Sequence, residues 1–194
     1  MIKQNLKGLF SGILDFIFVP KCVSCGAALP DKDRVLCDEC GKMYNLESKF
    51  LCKSCGYPHP RCVCRVNYKG KSFPLFHVTG YDINRDSVSK NMVLYIKDEN
   101  HSATFRFMAD ELTRVLESRE EGLFLSGKEP VLVTYIPRSV RAKRRAGHDQ
   151  SKELARAVAL RINAELGDVF SSISESSQKT LSISVWKTPN QAMG

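Results

Sequence analysis

The sequence predicts an α/β protein in two parts: a cysteine-rich, metal-binding head over residues 21–66 and a parallel-sheet domain over residues 67–194. A helical segment, residues 1–20, precedes them. Three observations predict this. All eight cysteines fall between Cys22 and Cys64 in closely spaced pairs, and the remaining two-thirds of the chain has none. Residues 131–136 form a run of β-branched, aromatic and Leu side chains bounded by Pro137, which suits a strand buried on both faces. After a cationic connection, Leu154, Val158, Ile162 and Leu166 recur every four residues, the spacing of one helical face.

A chain of 194 residues holds one large domain or a domain with a small module. A hydrophobic fraction of 43% and a charged fraction of 26% belong to a soluble globular protein. The formal net charge is +8, counting every cysteine as neutral. Eight thiolates on two Zn²⁺ ions remove four of those charges and leave about +4, so net charge alone argues little for a polyanionic partner.

Residues 1–18 group Leu6, Leu9, Phe10, Ile13, Leu14 and Ile17 at helical spacing. Such a helix packs on its own protein or, with a more basic polar face than this one, lies on a membrane surface. Asp15 interrupts the apolar run, no small-residue cleavage site follows, and the run is too short to span a bilayer. No stable membrane insertion is expected. The cysteines are therefore read as reduced metal ligands in a cytoplasmic protein, not as a disulfide framework.

In the head, Cys22-x-x-Cys25 and Cys37-x-x-Cys40 are separated by eleven residues, and Cys52-x-x-Cys55 and Cys62-x-Cys64 by six. A Cys-x-x-Cys turn aims two thiolates at one ion, and two such pairs complete a tetrahedron. Glycines after Cys25, Cys40 and Cys55 suit knuckle turns that need a positive φ. Paired knuckles favour zinc over an iron–sulfur cluster. Sequential pairing is the simplest, an interleaved one joining Cys22 and Cys25 to Cys52 and Cys55 also satisfies the spacing, and His59 offers an alternative ligand. Eight thiolates on two ions leave no open coordination position, so the zinc is structural or recognitive and not hydrolytic.

Beyond the head, a short strand is expected around Phe76, His77 and Val78. A helix over residues 87–97 places Val88, Met92, Tyr95 and Ile96 on one face and ends at Lys97. A second, capped by Ser102, places Phe105, Met108, Leu112, Val115 and Leu116 together. Residues 122–130 read as loop. The strand at 131–136 then leads into a basic loop, with Gly147 allowing close backbone approach and Asp149 capping the next helix. Ligands of parallel sheets bind at the carboxyl ends of strands, and loop cations beside a helix N-terminus suit phosphate. After residue 168 the chain is serine-rich, with Val169 and Phe170 a candidate strand start and Ile183 and Val185 alternating with serines.

These blocks resemble a known family. The cysteine head is similar to the double zinc ribbon of ComF-type proteins, the amidophosphoribosyltransferase-like family associated with DNA uptake in competent bacteria. The stretch from Tyr135 through Gly147, Asp149 and Gln150 to Leu154 and Ala155 resembles that family's strand, basic loop and Arg-Gly-Phe-(Asn/Asp)-Gln…Leu-Ala segment. Ala146 and His148 depart from it, standing where the family has Arg and Phe. Lys187-Thr188-Pro189-Asn190-Gln191 is similar to its Arg-x-Thr-x-x-Gln element.

The resemblance implies a type I phosphoribosyltransferase-like fold after the ribbon, with Arg138, Arg141, Lys143, Arg144, Arg145 and Gly147 in or beside a loop that holds pyrophosphate; Lys97 also resembles a family position. It implies two structural zinc ions, with phosphoribosyl pyrophosphate and Mg²⁺ as ligands, and single-stranded DNA or a competence helicase as partner. Lys42, Tyr44, Lys49, Phe50, Lys53, Tyr57 and Arg61 are available on the ribbon for such contacts.

The family's acidic pair followed by Thr-Thr-Gly, which holds ribose and the 5-phosphate, does not occur in the sequence. The expectation is a chain cut short before that element, with no catalytic residue assigned and turnover absent. Loss of a central strand would leave the strand at 131–136 with an open apolar edge and the flanking helices partly uncovered.

Overall fold

The computed structural model describes residues 19–80, 86–119 and 130–172. The expected N-terminal helix, the serine-rich run beyond residue 172, the element at 187–191 and nearly all of the loop at 122–130 lie outside them. The chain divides into two compact units, Met1–Tyr95 and Ile96–Gly194.

The first unit is built on two copies of one turn. Lys21 bridges Ala28 and Leu51 bridges Pro58, both antiparallel. Inside each bridge the pattern repeats: Cys22 N–H to Ala27 O and Gly26 N–H to Cys22 O, then Cys52 N–H to Tyr57 O and Gly56 N–H to Cys52 O, all 2.7–2.8 Å. Gly26 and Gly56 take φ of 76° and 73°, the left-handed conformation that the turn requires.

Helix α1 (Asp38–Glu47) follows the first turn, capped by Cys37, whose sulfur accepts from Cys40 N–H at 3.5 Å. Gly41 therefore lies in a helix and not in a third knuckle with positive φ, because Cys37 and Cys40 ride on the first helical turn. After a short 3-10 turn (His59–Arg61) come β1 (Arg65–Tyr68) and β2 (Lys71–Pro74), joined at Lys69 and Gly70, whose φ values of 46° and 74° fit the tight turn of a two-residue hairpin. The expected strand at Phe76–Val78 is not one. The strands lie just before it.

Helix α2 (Val88–Asp98) buries Val88, Met92 and Ile96 of the stripe its periodicity predicts, while Tyr95 is half-buried. The unit boundary falls within this helix. The first unit's core is Val23, Leu29, Val35, Leu36, Tyr44, Val88 and Met92, all around the first turn and α1.

In the second unit, α3 (Ser102–Glu117) packs along α5 (Gln150–Arg161), and α5 covers β3 (Leu132–Thr134) and β4 (Glu165–Gly167). His101 holds the cap position of α3 and Ser102 is its first helical residue. The most buried face of α3 runs through Phe105, Ala109 and Thr113, while Met108, Leu112 and Leu116 are only half-buried. Small side chains set this face: Ala109, 1% exposed, and Ala155 and Ala159 on α5 let the helix axes approach closely.

β3 and β4 pair in parallel, Leu132 opposite Glu165 and Thr134 opposite Gly167. The strand is thus shorter than residues 131–136 and not buried on both faces: Leu132 is 54% and Ile136 77% exposed, since β4 is the one neighbour of β3 among the described residues. The helix after the basic stretch ends at Arg161, so Leu166 belongs to β4 and not to a helical face. Asn163, at φ 53°, terminates it, and Ala164 N–H returns to Ala159 O at 2.8 Å, the C-terminal closure of a Schellman motif. Val169 and Phe170 form no strand and are exposed.

Candidate metal centres and a basic helix

The eight cysteines gather sequentially. Cys22, Cys25, Cys37 and Cys40 form one group and Cys52, Cys55, Cys62 and Cys64 the other, the sulfurs of each lying within 4.8 Å of one another. Interleaved pairing does not occur. His59 belongs to neither group and packs edge-on against His77, with ring centroids 5.8 Å apart.

Individual sulfur separations are 3.7 Å for Cys25 and Cys37, 3.8 Å for Cys52 and Cys64, and 3.5 Å for Cys55 and Cys62. Zn–S bonds of about 2.3 Å in a tetrahedron put sulfurs roughly 3.8 Å apart. A disulfide would need about 2.05 Å. All eight cysteines are free, so each group has the composition and size to hold one zinc ion.

The sulfurs share their N–H donors unequally. Burial raises the Cys22 thiol, but the backbone N–H groups of Cys25, Cys37 and Ser24 outweigh it and bring Cys22 down to about 6. In the second group the N–H groups of Cys55 and Ser54 bring Cys52 down to about 6. Some neighbours move the other way: burial raises Cys40, and hydrogen bonding to Cys62 pushes Cys64 up to about 12, whereas the Tyr57 N–H lowers Cys55. Each group thus offers at least one thiolate near neutral pH, Cys22 or Cys52, and the ion's own charge helps drive the remaining protons off. Protons therefore compete with metal. Zinc retention, read with a chromophoric indicator, is expected to be full above pH 7 and to weaken as pH falls below about 6, where these two thiolates take up protons. Retention independent of pH down to 4 would contradict this ligand set.

α1 carries the first group into the core. Its last residue, Glu47, is 4% exposed, and its carboxylate accepts from Val88 N–H at 2.7 Å, Ser89 N–H at 2.9 Å and Ser89 Oγ–H at 2.5 Å. A side chain 41 residues away thereby satisfies the first amides of α2, which a helix cannot satisfy itself.

In the second unit the expected basic loop is largely helix. Residues 140–146 are rich in Ala, Arg and Lys, good helix formers, and they fold as α4 (Val140–Ala146). Ser139 caps it, accepting from Ala142 N–H at 3.3 Å, and Gly147, at φ 73°, ends it. Arg141, Arg144 and Arg145 are exposed and Lys143 is half-buried. None of the four meets a carboxylate among the described residues. By contrast Arg114, Arg156, Arg161 and Lys152 are each paired, at 2.5–2.7 Å, with Glu111, Glu153, Asp110 and Asp168.

Arg138 and Gly147 flank α4. The Arg138 guanidinium donates to Lys97 O at 2.9 Å and its backbone N–H to Asp149 Oδ2 at 3.1 Å. Asp149 also accepts from Ser151 N–H at 3.2 Å, so the α5 N-terminus already carries a carboxylate. His148, at the family's Phe position, is buried edge-on to Phe105, its ring nitrogens 2.9 and 2.8 Å from Ala146 O and Ile96 O.

Just past the carboxyl ends of β3 and β4, Tyr135 Oη–H donates to Asp168, as does Lys152 Nζ at 2.7 Å. Lys152 first and Tyr135 second hold the Asp168 carboxyl below the ordinary range. This tie is complete above that range and loosens as acid protonates the carboxylate.

Comparison with protein-family models, curated proteins and solved structures finds no match. No helix among the described residues is long and apolar enough to cross a membrane. Of the ribbon residues expected to be available, Tyr44 is not, being 5% exposed in the core; Lys42, Lys49, Phe50, Lys53, Tyr57 and Arg61 are exposed.

Proposed function

We propose that this chain is a ComF-type protein of DNA uptake: a ribbon held by two structural zinc ions, followed in the chain by a phosphoribosyltransferase-like unit that binds phosphate at α4. The observation that carries the reading is that Arg141, Lys143, Arg144 and Arg145 have no carboxylate partner among the described residues, while other cations of the same unit do. Such a set suits the diphosphate of phosphoribosyl pyrophosphate, with Mg²⁺ as its companion. The reading is of binding without turnover. Asp149 and Asp168, which flank this end of the sheet, are committed to Ser151, Arg138, Tyr135 and Lys152 and leave no free pair for ribose hydroxyls.

Calorimetry with inorganic pyrophosphate tests it. The Arg144→Ala/Arg145→Ala double variant is expected to weaken binding by about tenfold or more. Equal affinity in both proteins overturns the assignment.

A second observation favours single-stranded DNA on the ribbon. Residues 48–80 contain Lys49, Lys53, Arg61, Arg65, Lys69 and Lys71 but no Asp or Glu, and Tyr57, Tyr68 and Phe73 are exposed among them. Cations beside exposed aromatic faces are what unpaired bases stack on. Binding to a labelled oligonucleotide that does not weaken steeply with salt counts against it.

A further inference from the structure

The two cysteine groups share a turn and a ligand set but not their surroundings. The first is tied to α2 from two directions. Ser24, between Cys22 and Cys25, meets Asn91 of α2: Asn91 Nδ2 lies 3.4 Å from Ser24 Oγ and 3.5 Å from Ser24 O. From the other side α1, which starts on Cys37 and Cys40, ends on Glu47, and Glu47 holds the first amides of α2. Thr79 Oγ1 extends the chain of bonds to Ser89 Oγ at 3.1 Å. The second group is held by bonds to its own turn and to the hairpin, with Cys52 N–H on Tyr57 O, Cys62 N–H on His59 O and Leu75 N–H on Cys64 O, and it meets α1 through the backbone, His59 N–H on Phe50 O and Phe50 N–H on Glu47 O. Leu51, Tyr57 and Val63 around it are exposed.

We propose that the first cysteine group is a metal-responsive clamp on α2. With its ion bound, the knuckle and α1 are fixed relative to one another and Ser24 and Glu47 grip the helix together. When the ion is withdrawn, Cys37 and Cys40 are no longer anchored to Cys22 and Cys25, and α1 can carry Glu47 away from Val88 and Ser89. Among the described residues no bond like those of Ser24 and Glu47 runs from the second knuckle to α2, so two sites of like chemistry do unlike things: one sets whether the start of α2 is docked, the other shapes its own lobe. Cys25, exposed at its rim, makes the first site the more open one to a competing chelator.

The inference rests on the cysteine groups being metal sites, and the experiment separates the two. Co²⁺ is titrated into wild type and into Cys40→Ser and Cys62→Ser variants, and thiolate-to-metal absorption counts the ions. Amide hydrogen exchange over residues 88–95 then reads α2. Two ions in wild type and one in each variant are expected, with exchange at least about tenfold faster in Cys40→Ser and unchanged in Cys62→Ser. Glu47→Ala is expected to retain both ions and still speed exchange at Val88 and Ser89, which isolates the transmission from any general failure to fold. Fewer than two ions in wild type sinks the metal reading itself. Two ions with α2 equally protected in Cys40→Ser, or equally exposed in both cysteine variants, overturns the clamp alone.

Discussion

Stripping zinc with a chelator is expected to unfold residues 51–64 outright and to expose Lys53 and Arg61 to trypsin. Ordering fourteen residues costs on the order of 15–25 kcal/mol in backbone freedom. Against this the lobe buries little: Cys52 and Cys62 are inside, but Leu51, Tyr57 and Val63 are not, and their burial would have contributed only about 2 kcal/mol each. A structural zinc contributes roughly 10–16 kcal/mol, the one term of matching size. Cleavage at both sites should appear on adding chelator and vanish when Zn²⁺ is restored. A lobe that resists trypsin equally without metal would show that something other than these thiolates holds it.

Glu47→Ala is expected to cost about 3–4 kcal/mol in the first unit. It strands two backbone N–H groups and the Ser89 hydroxyl around a buried site, and an unmet buried donor costs about 1–3 kcal/mol, part of which water entering the gap returns. Glu47→Gln keeps the shape but turns one acceptor into a donor facing other donors, so it should recover no more than about half. Urea denaturation of the zinc-loaded protein measures both. A loss under about 1 kcal/mol for Glu47→Ala would mean that the carboxylate does not hold α2.

What could be read in the sequence was what local chemistry dictates. Cysteine spacing is such a rule, because two thiolates three residues apart can reach one ion whatever surrounds them. Strong periodicity is another, hence α2 and its stripe of Val88, Met92 and Ile96. The basic stretch is a helix whose signals are present, Ser139 and Gly147 bracketing seven residues of which six are good helix formers, but five cations after Pro137 point to a loop. The hairpin was missed because its turn is Lys69-Gly70, a weaker mark than Asn-Gly. β4 is only three residues long, and Leu166 happens to continue the four-residue spacing of the helix before it. Glu47 was beyond reach. Nothing near it in the chain announces that its partners lie 41 residues on, and a glutamate at the end of a polar helix is usually in water.

The duplicated turn also bears on the order of assembly. A chain meeting its first ion has two near-identical hosts, and from either turn the ion can recruit its own second pair or the other turn. Closing six residues costs less entropy than closing eleven, by about 0.5 kcal/mol, so the second group should win the early ion slightly more often. The site that governs only its own lobe then fills first, leaving the first group to draw its ion from whatever supply remains.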